Sequence, residues 1–207
     1  AVGVSIVSHD VNARVAGTVK KARTVTIKAE NLDNFEMLAT GAAVSKKNSI
    51  ALGVAVIINN SKTVAQLTGN LGTSGTSVGE ILIQAISRHN MDEDYRTRLG
   101  AEAIAGAANG SAAGGAAAAG AVALIVSNAE TIAKAGNNAV IYSDGDVTVE
   151  AIEQSKLAAR AWGASVTSSR FNEQNGSGKT SGSNGNSDSK AGVGGAYAMI
   201  YVNNKTT

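Results

Sequence analysis

The residues that could perform acid–base or metal chemistry are few in this sequence, and they are widely separated. Its two histidines, His9 and His89, lack the i, i+4 spacing with which a helix binds zinc. The acidic run Asp92–Asp94 could offer carboxylates to calcium, but the spacing and central glycine of an EF-hand loop are missing, which favours a solvated turn. Asp144 and Asp146 flank a glycine before a predicted strand, where turn chemistry explains them. We therefore predict no metal ion and no cofactor.

Candidate ligand-binding motifs are equally weak. The glycines within Gly192–Gly195 lack the strand-then-helix setting of a dinucleotide loop, so strand packing explains them better. The basic runs Lys20–Arg23 and Lys46–Lys47 lie between predicted strands and favour solvated turns over a polyanion site. Trp162, the single tryptophan, suits packing at a core or an edge as well as stacking on a sugar ring. The sequence predicts no catalytic residue and no enzyme.

Composition narrows the class of protein. The chain has 207 residues, a net charge of +2, no cysteine and no proline. With 43% hydrophobic and 16% charged residues it can bury a core, and global disorder is excluded. No apolar run reaches the ~18 residues that span a bilayer, and no clustered basic face points to nucleic acid. Since proline is barred from central strands, its absence favours a chain composed largely of sheet.

Internal repeats place the candidate residues on recurring elements. The segments Val25–Ala29, Ile81–Ala85 and Val147–Ala151 share apolar first, third and fifth positions, which is the period of a half-buried strand. Their fourth position is polar each time, as Lys28, Gln84 and Glu150. These columns predict three equivalent strands with one face inward and one outward.

Two further strands recur with the same rhythm. Val4–Asp10 aligns with Val54–Asn60, Val122–Asn128 and Ala198–Asn204, giving the column Ile6, Val56, Leu124 and Ile200. Each run ends on Asp or Asn, and we expect Asn60, Asn128 and Asn204 to stack as an amide ladder. A shorter strand follows at Val11–Val15, Thr63–Leu67 and Thr131–Ala135, and the first connecting turn is two residues shorter than the others.

The fourth recurring element is open to two interpretations. Segments 37–44, 99–107 and 157–166 are rich in Ala, Gly and Ser. Alanine is the best helix former, and Leu157, Ala161 and Ala164 could share a helical face. We favour strands, because Gly and Ser recur inside these runs and the neighbouring elements all have period two.

Strands that return every 50 to 70 residues predict a solenoid, with each winding laid parallel to the one below. We predict an all-β fold, a right-handed parallel β-helix, in which 1–207 is a single segment excised from a longer repetitive chain. Small residues indicate a narrow cross-section (Ala42, Ala43, Gly53, Ala55, Gly106 and Ala121). We expect loop insertions near 68–77, 87–98 and 172–189, with helical ion-pair spacing from Asp92 to Arg96 and from Asp94 to Arg98.

The run Leu38–Lys46 followed by Ile50–Asn59 resembles a recurrent unit of very large bacterial exported proteins. These include leukotoxin-like, filamentous-haemagglutinin-like and autotransporter adhesins, whose repeats alternate Ala/Gly/Ser runs with short VTVxA strands. The resemblance covers most of the chain and implies a right-handed β-helix, bacterial export and a role in adhesion or virulence at the cell surface. It carries no functional residues, because the motif consists of small apolar residues and turns.

The expected function is a structural, adhesive segment that presents loops for attachment to a host or bacterial surface protein or glycan. We expect it to pack against flanking repeats of its own chain, with no nucleic acid and no direct membrane insertion. The alternative is a β-helical polysaccharide-active enzyme (a lyase or glycosidase) or a carbohydrate-binding module. Such an enzyme needs clustered carboxylates in a groove, and the outward columns offer none. A helical Ala/Gly-rich assembly is the third possibility.

Overall fold

The structure is a computed structural model that describes residues 1–91, 100–109, 116–167 and 192–207. Within these ranges the chain forms β-strands and no helix. The strands are β1 (Val2–Val7), β2 (Asp10–Val15), β3 (Thr18–Val19), β4 (Thr24–Asp33), β5 (Glu36–Ser45), β6 (Ser49–Asn59), β7 (Lys62–Leu67), β8 (Asn70–Leu71), β9 (Glu80–His89), β10 (Gly100–Asn109), β11 (Ala117–Ser127), β12 (Glu130–Ala135), β13 (Val147–Ser155), β14 (Ala159–Thr167), β15 (Gly192–Val202) and β16 (Lys205–Thr206).

The strands assemble into five sheets, which we number in the order the chain first reaches them. Sheet I is β1-β6-β11-β15, sheet II is β2-β7-β12-β16, sheet III is β3-β8, sheet IV is β4-β9-β13 and sheet V is β5-β10-β14. All the paired strands are parallel, and each pairs with its equivalent from the next repeat. The fold is therefore all-β, with parallel strands in stacked sheets, an arrangement compatible with a β-solenoid.

Sheet IV confirms the repeat that the sequence shows most clearly. Val25 is the Cα partner of Ile81, which is in turn the partner of Val147. The inward positions of β4 alternate with exposed ones along the whole strand, because period-two apolar residues bury one face of a sheet. In sheet II the predicted register is also confirmed, since Ala13, Ala65 and Ala133 form one column.

The predicted register of sheet I is wrong at both of its outer strands. On β1, Val2 and not Val4 pairs with Val54, and on β15 the partner of Leu124 is Met199 rather than Ile200. The two-residue error on β1 accounts for the turn that was expected to be two residues short. With the true register, β1 and β2 are joined by a turn as long as the one between β6 and β7. Runs of similar apolar residues hide such shifts, because several registers give equally apolar columns.

The amide ladder is confirmed for one step and wrong for the next. Asn128 Nδ2 donates to Asn60 Oδ1 at 3.0 Å. Asn204 does not continue the stack, because the register places Asn203 above Asn128. The side chain of Asn204 instead accepts from Ser127 Oγ and from the Ala129 backbone amide at 2.9 and 3.0 Å. It therefore closes the turn rather than extending the ladder.

The Ala/Gly/Ser segments are strands, and the helical alternative is wrong. They form β5, β10 and β14, which pair in register across sheet V. Their small inward side chains allow sheet V to lie very close to sheet I. A Cβ added to Gly53 would stand 2.5 Å from the backbone oxygen of Ile104, and one added to Gly41 would stand closer still to Leu52.

The predicted narrow cross-section is confirmed between sheets I and V, although two of the six small residues that suggested it face outward. Gly53, Ala55 and Ala121 face inward and are buried. Ala42 is exposed, and Gly106 has open space where a side chain would be. Inward and outward positions both carry small residues in sheet V, so residue size alone does not identify the inner face.

The interior consists of two separate apolar clusters. Sheets I and V enclose a thin compartment that is lined mainly by alanine, with Ile57 and Ile125 at one end. Sheets II and IV enclose a wider compartment filled by larger side chains such as Ile27, Leu67 and Ile83. A layer of buried polar residues lies between the two compartments, at the strand ends of sheets I and IV and the start of sheet II.

Of the insertion predicted near 68–77, one part is a regular element. Asn70–Leu71 is β8, and Leu71 is fully buried. The extra residues are confined to a turn closed by the bridge between Thr73 and Thr76, with Gly72 at a positive φ of 78° that favours glycine. Of the stretch near 87–98, residues 87–89 belong to β9. The rest from 92 onward, the expected Asp92–Arg96 and Asp94–Arg98 ion pairs, and the stretch 172–189 lie outside the described residues.

Candidate functional site

The most chemically diverse part of the structure is the polar layer between the two compartments. Along β4 the inward column changes from Ala29 to Asn31 and Asp33, and along β9 it changes from Ala85 to Ser87 and His89. The facing chain runs from Asn59 through Ser61 to Thr63, all of them buried. The same period-two alternation that builds the core therefore places polar side chains inside the molecule at these positions. We call this group of residues the polar layer.

Asp33 is the centre of the polar layer. Its carboxylate accepts hydrogen bonds from Asn31 Nδ2 at 2.8 Å and from Ser61 Oγ at 3.3 Å. The Nδ1 atoms of both histidines lie beside it, at 2.7 Å for His9 and 3.3 Å for His89. His9 reaches Asp33 from the turn between β1 and β2, and His89 comes from the neighbouring strand of sheet IV. Burying a carboxylate requires such a set of donors, and here two successive repeats supply them.

Sequence spacing did not predict that the two histidines meet. They belong to different elements of different repeats, and only the winding of the chain brings both to Asp33. The sequence did contain one sign of this polar group. Asn31 and Asp33 continue the inward alternation of Val25, Ile27 and Ala29, so two polar residues stand at inward positions of the strand. A buried polar pair in register with apolar residues indicates that the facing chain supplies hydrogen-bond partners.

Ser87, His89 and Asp33 form a linear series of contacts. Ser87 Oγ lies 3.0 Å from His89 Nε2, and His89 Nδ1 faces Asp33 on the other side of the ring. The order of atoms is that of a serine–histidine–aspartate triad. The setting differs, because the side chains of Ser87 and His89 are almost completely buried. His89 Nδ1 also lacks hydrogen-bond geometry to any partner, so the series of hydrogen bonds from Ser87 to Asp33 is interrupted at His89.

The protonation of His89 is controlled by its burial. Desolvation lowers the pKa of His89 below its ordinary value of 6.5, and the nearby charges of Asp33 and Glu153 only partly oppose this effect. The ring is therefore neutral at neutral pH and packs beside Phe35, with 6.1 Å between the ring centroids. A neutral histidine can accept from Ser87 and remain in an apolar setting, which fits a structural role.

Asn90 fixes the end of this strand. Its φ of 56° is in the left-handed region, which asparagine tolerates better than most residues. Its Oδ1 accepts from the Phe35 backbone amide at 2.7 Å, and its Nδ2 donates to the Lys156 carbonyl at 3.2 Å. One side chain thus ties together the corresponding turns of three successive windings.

A shallow cleft adjoins the polar layer from outside. It encloses about 260 Å³ and is lined by Leu32, Asp33, Asn34, Arg88 and Met91. Leu32 and Arg88 are partners on the outward side of sheet IV. Through this cleft the largely buried Asp33 contributes to the protein surface. No group of three or more His, Asp or Glu residues in that part is arranged to hold a metal ion.

The outer face of sheet IV carries the polar column Lys28, Gln84 and Glu150 that the sequence predicts. Gln84 Nε2 donates to Glu150 Oε2 at 2.8 Å. Glu30 lies 2.8 Å from Lys28 Nζ and 3.4 Å from Arg88, and the hydrogen bond from Lys28 lowers the pKa of Glu30. Both carboxylates are therefore partnered within the protein.

The outer face of sheet I is apolar throughout. Outward positions are the even-numbered residues of β1, β6 and β11 and the odd-numbered residues of β15, as their pairing shows. They are Val, Ile, Leu, Met and Tyr with a few Ala and Gly, and none is charged. Ile50 is 79% exposed and Val2 is 70% exposed. We call these positions the apolar outer face; the predicted register of sheet I obscured it.

The remaining residues that the sequence singled out are scattered. Trp162 points outward from sheet V and is 49% exposed, so it is not a core residue. Gly194 lies in β15 against the backbone of Gly163, which confirms strand packing for that glycine run. The turn at 144–146 is closed by hydrogen bonds between Ser143 Oγ and the backbone of Gly145. The acidic run 92–94 lies outside the described residues.

One motif escaped the sequence analysis. Residues 75–79 read Gly-Thr-Ser-Val-Gly, the spacing of a nucleophile elbow. In the structure this segment precedes strand β9 rather than a helix, and Val78 is buried and hydrogen-bonded to Tyr142 through its backbone. The strand–turn–helix context that exposes such a serine is missing.

Within the described ranges no helical segment has the length and hydropathy to cross a membrane. Comparison with protein-family models, with curated proteins and with solved structures finds no match for this chain.

Proposed function

We propose that this chain is a right-handed parallel β-helix that forms a structural, adhesive segment of a secreted or cell-surface bacterial protein. The observation that carries the proposal is the repeated parallel pairing of each strand with its equivalent in the next repeat, in sheets I, II, IV and V. Such stacking makes a stiff wall in which each winding supports its neighbours. The right hand follows from the strong preference of parallel crossover connections for that hand.

The outward glutamates of sheets IV and II support a structural function better than a catalytic one. A glycosidase needs a carboxylic acid with a raised pKa to protonate the leaving group. The side-chain hydrogen bonds from Lys28 and Lys62 lower the pKa values of Glu30 and Glu130 instead. These carboxylates are suited to ion pairing along the wall, as in the 2.7 Å contact between Lys62 and Glu130.

The interior triad-like series supports the same proposal. Asp33 accepts from Asn31 on β4 and from Ser61 in the β6–β7 turn and lies beside the histidines of the β1–β2 turn and of β9. Asn90 joins three successive repeats. Buried polar groups that need one another as hydrogen-bond partners can fix the register of stacked elements. We propose that the polar layer sets the register between sheets IV, I and II, and that attachment uses the outer surface.

Two experiments test the proposal. Antibodies against the 207-residue chain should label intact cells of the organism that produces it, and protease treatment of those cells should remove the label. The purified chain on beads should retain host or bacterial cells under flow, whereas beads carrying the heat-denatured chain should not. Labelling only after cell lysis would contradict the proposed location. Release of reducing ends or unsaturated sugars from bacterial or host polysaccharides would instead identify a polysaccharide-active enzyme.

A further inference from the structure

The apolar outer face is an unusual feature for a protein surface. It continues across all four strands of sheet I, from Val4 on β1 through Val56 and Leu124 to Met199 on β15. The side chains on the other side of the two central strands, β6 and β11, are already buried against sheet V. Sheet I therefore has apolar residues on both faces, which is typical of a sheet that is covered on both sides.

The size of the face matches a protein interface. Strands up to 11 residues long in a sheet of four give a footprint of about 600 Å², from ~3.3 Å per residue and ~4.8 Å per strand. The largest apolar patch on a typical monomer is ~300–600 Å², and a standard interface uses ~800 Å² per partner. The face is thus large enough to carry most of a stable dimer interface.

The chemistry of the face favours a second copy of this chain. None of its outward positions bears a charge, whereas membrane-surface segments carry lysine and arginine beside their apolar residues. Its polar side-chain atoms are the hydroxyls of Tyr197 and Tyr201, and the Tyr197 hydroxyl already lies 3.1 Å from Met199 Sδ. Interfaces of obligate homodimers are the most apolar class. The stretches 92–99, 110–115 and 168–191 of this chain are charged or rich in Gly, Ser and Asn and offer no apolar counterpart.

The shape of the face is self-complementary along β11 and β15. On β11 and β15 bulky side chains fill the half where each strand ends, while Gly120 and its partner Gly195 leave the opposite half shallow. On β6 both halves carry bulky side chains, Ile50 and Leu52 in one and Val56 and Ile58 in the other. A side chain added at Gly195 would contact nothing, and one at Gly120 would touch only the Leu52 side chain. A two-fold axis in the plane of the face and perpendicular to the strands places the bulky half of β11 and β15 in one copy on the shallow half of the same strands in the other.

We infer that the apolar outer face of sheet I packs against the same face of a second copy of this chain, as two sheets stacked ~10 Å apart. The inference goes beyond the proposed function, since an isolated adhesive or structural segment would not require it.

Sedimentation velocity of the 207-residue chain between 1 and 100 µM tests the inference. The wild-type chain should sediment as a dimer over most of this range. Val56→Glu puts a charge at the centre of the face and should weaken the dimer at least ~100-fold, because an unpaired buried charge is costly. Leu82→Glu is the matched control: Leu82 is also half-buried, outward and on the central strand of its sheet, but it lies in sheet IV.

Val56→Thr keeps the shape and strand propensity of valine, and it replaces Val56→Glu if the charged variant does not fold, as judged by far-UV circular dichroism. It should weaken the dimer about tenfold while Leu82→Glu leaves it unchanged. A wild-type chain that is monomeric at 100 µM would overturn the inference, and its flotation with phosphatidylcholine vesicles would assign the face to lipid. A dimer that Val56→Glu and Val56→Thr leave intact would also overturn it.

Discussion

The two interior compartments are built from the same alternating pattern but in different ways. Between sheets I and V the inward columns are mostly alanine and glycine, and the backbones almost touch at Gly53. Between sheets II and IV other inward columns carry isoleucine, leucine and valine beside alanine, and the backbones of the two sheets approach each other less closely. The thin compartment depends on the absence of side chains, and the wide compartment depends on their presence. The two should therefore fail under opposite kinds of substitution.

The largest expected effect is a charge in the wide compartment. Ile83 is fully buried, and Ile83→Asp would place a carboxylate among apolar side chains with no donor nearby. We expect the variant to lose its cooperative unfolding transition or to aggregate. Leu82→Asp, one residue along the strand and facing outward, should keep the transition. Urea unfolding followed by far-UV circular dichroism measures both, and a folded Ile83→Asp variant would contradict the assigned inner face.

Added volume in the thin compartment should have the next largest effect. Gly53→Val would force a side chain into the backbone of Ile104 and should cost about 3 kcal/mol or more, since overpacking strains the surrounding structure. Gly106→Val, on the facing strand β10, points into open space and should change stability by less than about 1 kcal/mol. Chemical denaturation of the pair measures the difference. Equal losses would show that the sheets are not in close contact.

The polar layer between the compartments gives a smaller effect. Asp33→Ala removes the partner of both histidines and the acceptor of the buried Asn31 amide, whereas Ser61 Oγ keeps Asn59 Oδ1 as an acceptor at 2.5 Å. We expect a loss of about 2–4 kcal/mol in the free energy of unfolding. Lys28→Ala, on the outer face of the same strand, removes only an exposed ion pair and should cost less than about 1 kcal/mol. If the two losses were similar, the polar layer would not be stabilising the fold.

The smallest predicted effect is a pH dependence at His89. Because burial lowers the pKa of His89 below 6.5, the unfolded chain takes up a proton in mildly acid solution that the folded chain does not. The contribution of His89 to stability is therefore complete above pH 6.5 and is lost as the pH falls below it. The charges of Asp33 and Glu153 raise the pKa of His89 and so reduce this loss of stability, whereas the proximity of His9 lowers the pKa and increases the loss.

The urea midpoint should fall from pH 7.5 to pH 5 in the wild-type chain. The fall should be smaller in His89→Gln, which keeps a polar side chain at the position but cannot titrate. A midpoint with the same pH dependence in both proteins would contradict the account of His89.

Much of the fold could be predicted from the sequence, because residues at equivalent positions of successive repeats are either all polar or all apolar. The VTIKA-type strands gave the correct register, since Lys28, Gln84 and Glu150 mark the outward side unambiguously. Sheet I was misaligned because large apolar residues occupy both faces near the carboxyl ends of its strands, as in Ile57–Ile58 and Ile125–Val126, so a shift of one or two residues there still gives apolar columns. The same property hid the apolar outer face, which depends on knowing which apolar residues point out.

The polar layer was not predicted, for a different reason. His9, Asp33 and His89 come from a turn, a strand end and a neighbouring winding, and their spacing along the chain carries no pattern. The one sign of polar groups in the interior was that Asn31 and Asp33 fall at inward positions of the period-two pattern. Local periodicity predicts which way a side chain points, whereas the meeting of three such side chains depends on the winding of the whole chain.

Disulfide formation between neighbouring windings tests the central claim most directly, because the natural sequence contains no cysteine. Lys28 and Gln84 are outward Cα partners on β4 and β9, while Thr24 lies four residues from that register. Parallel neighbours ~4.8 Å apart are within the range a disulfide spans, and an offset of ~13 Å along the strand is not. Mild oxidation should therefore close the disulfide in Lys28→Cys/Gln84→Cys and leave Thr24→Cys/Gln84→Cys reduced. Equal oxidation of both variants, or of neither, would contradict the stacked register on which the account is built.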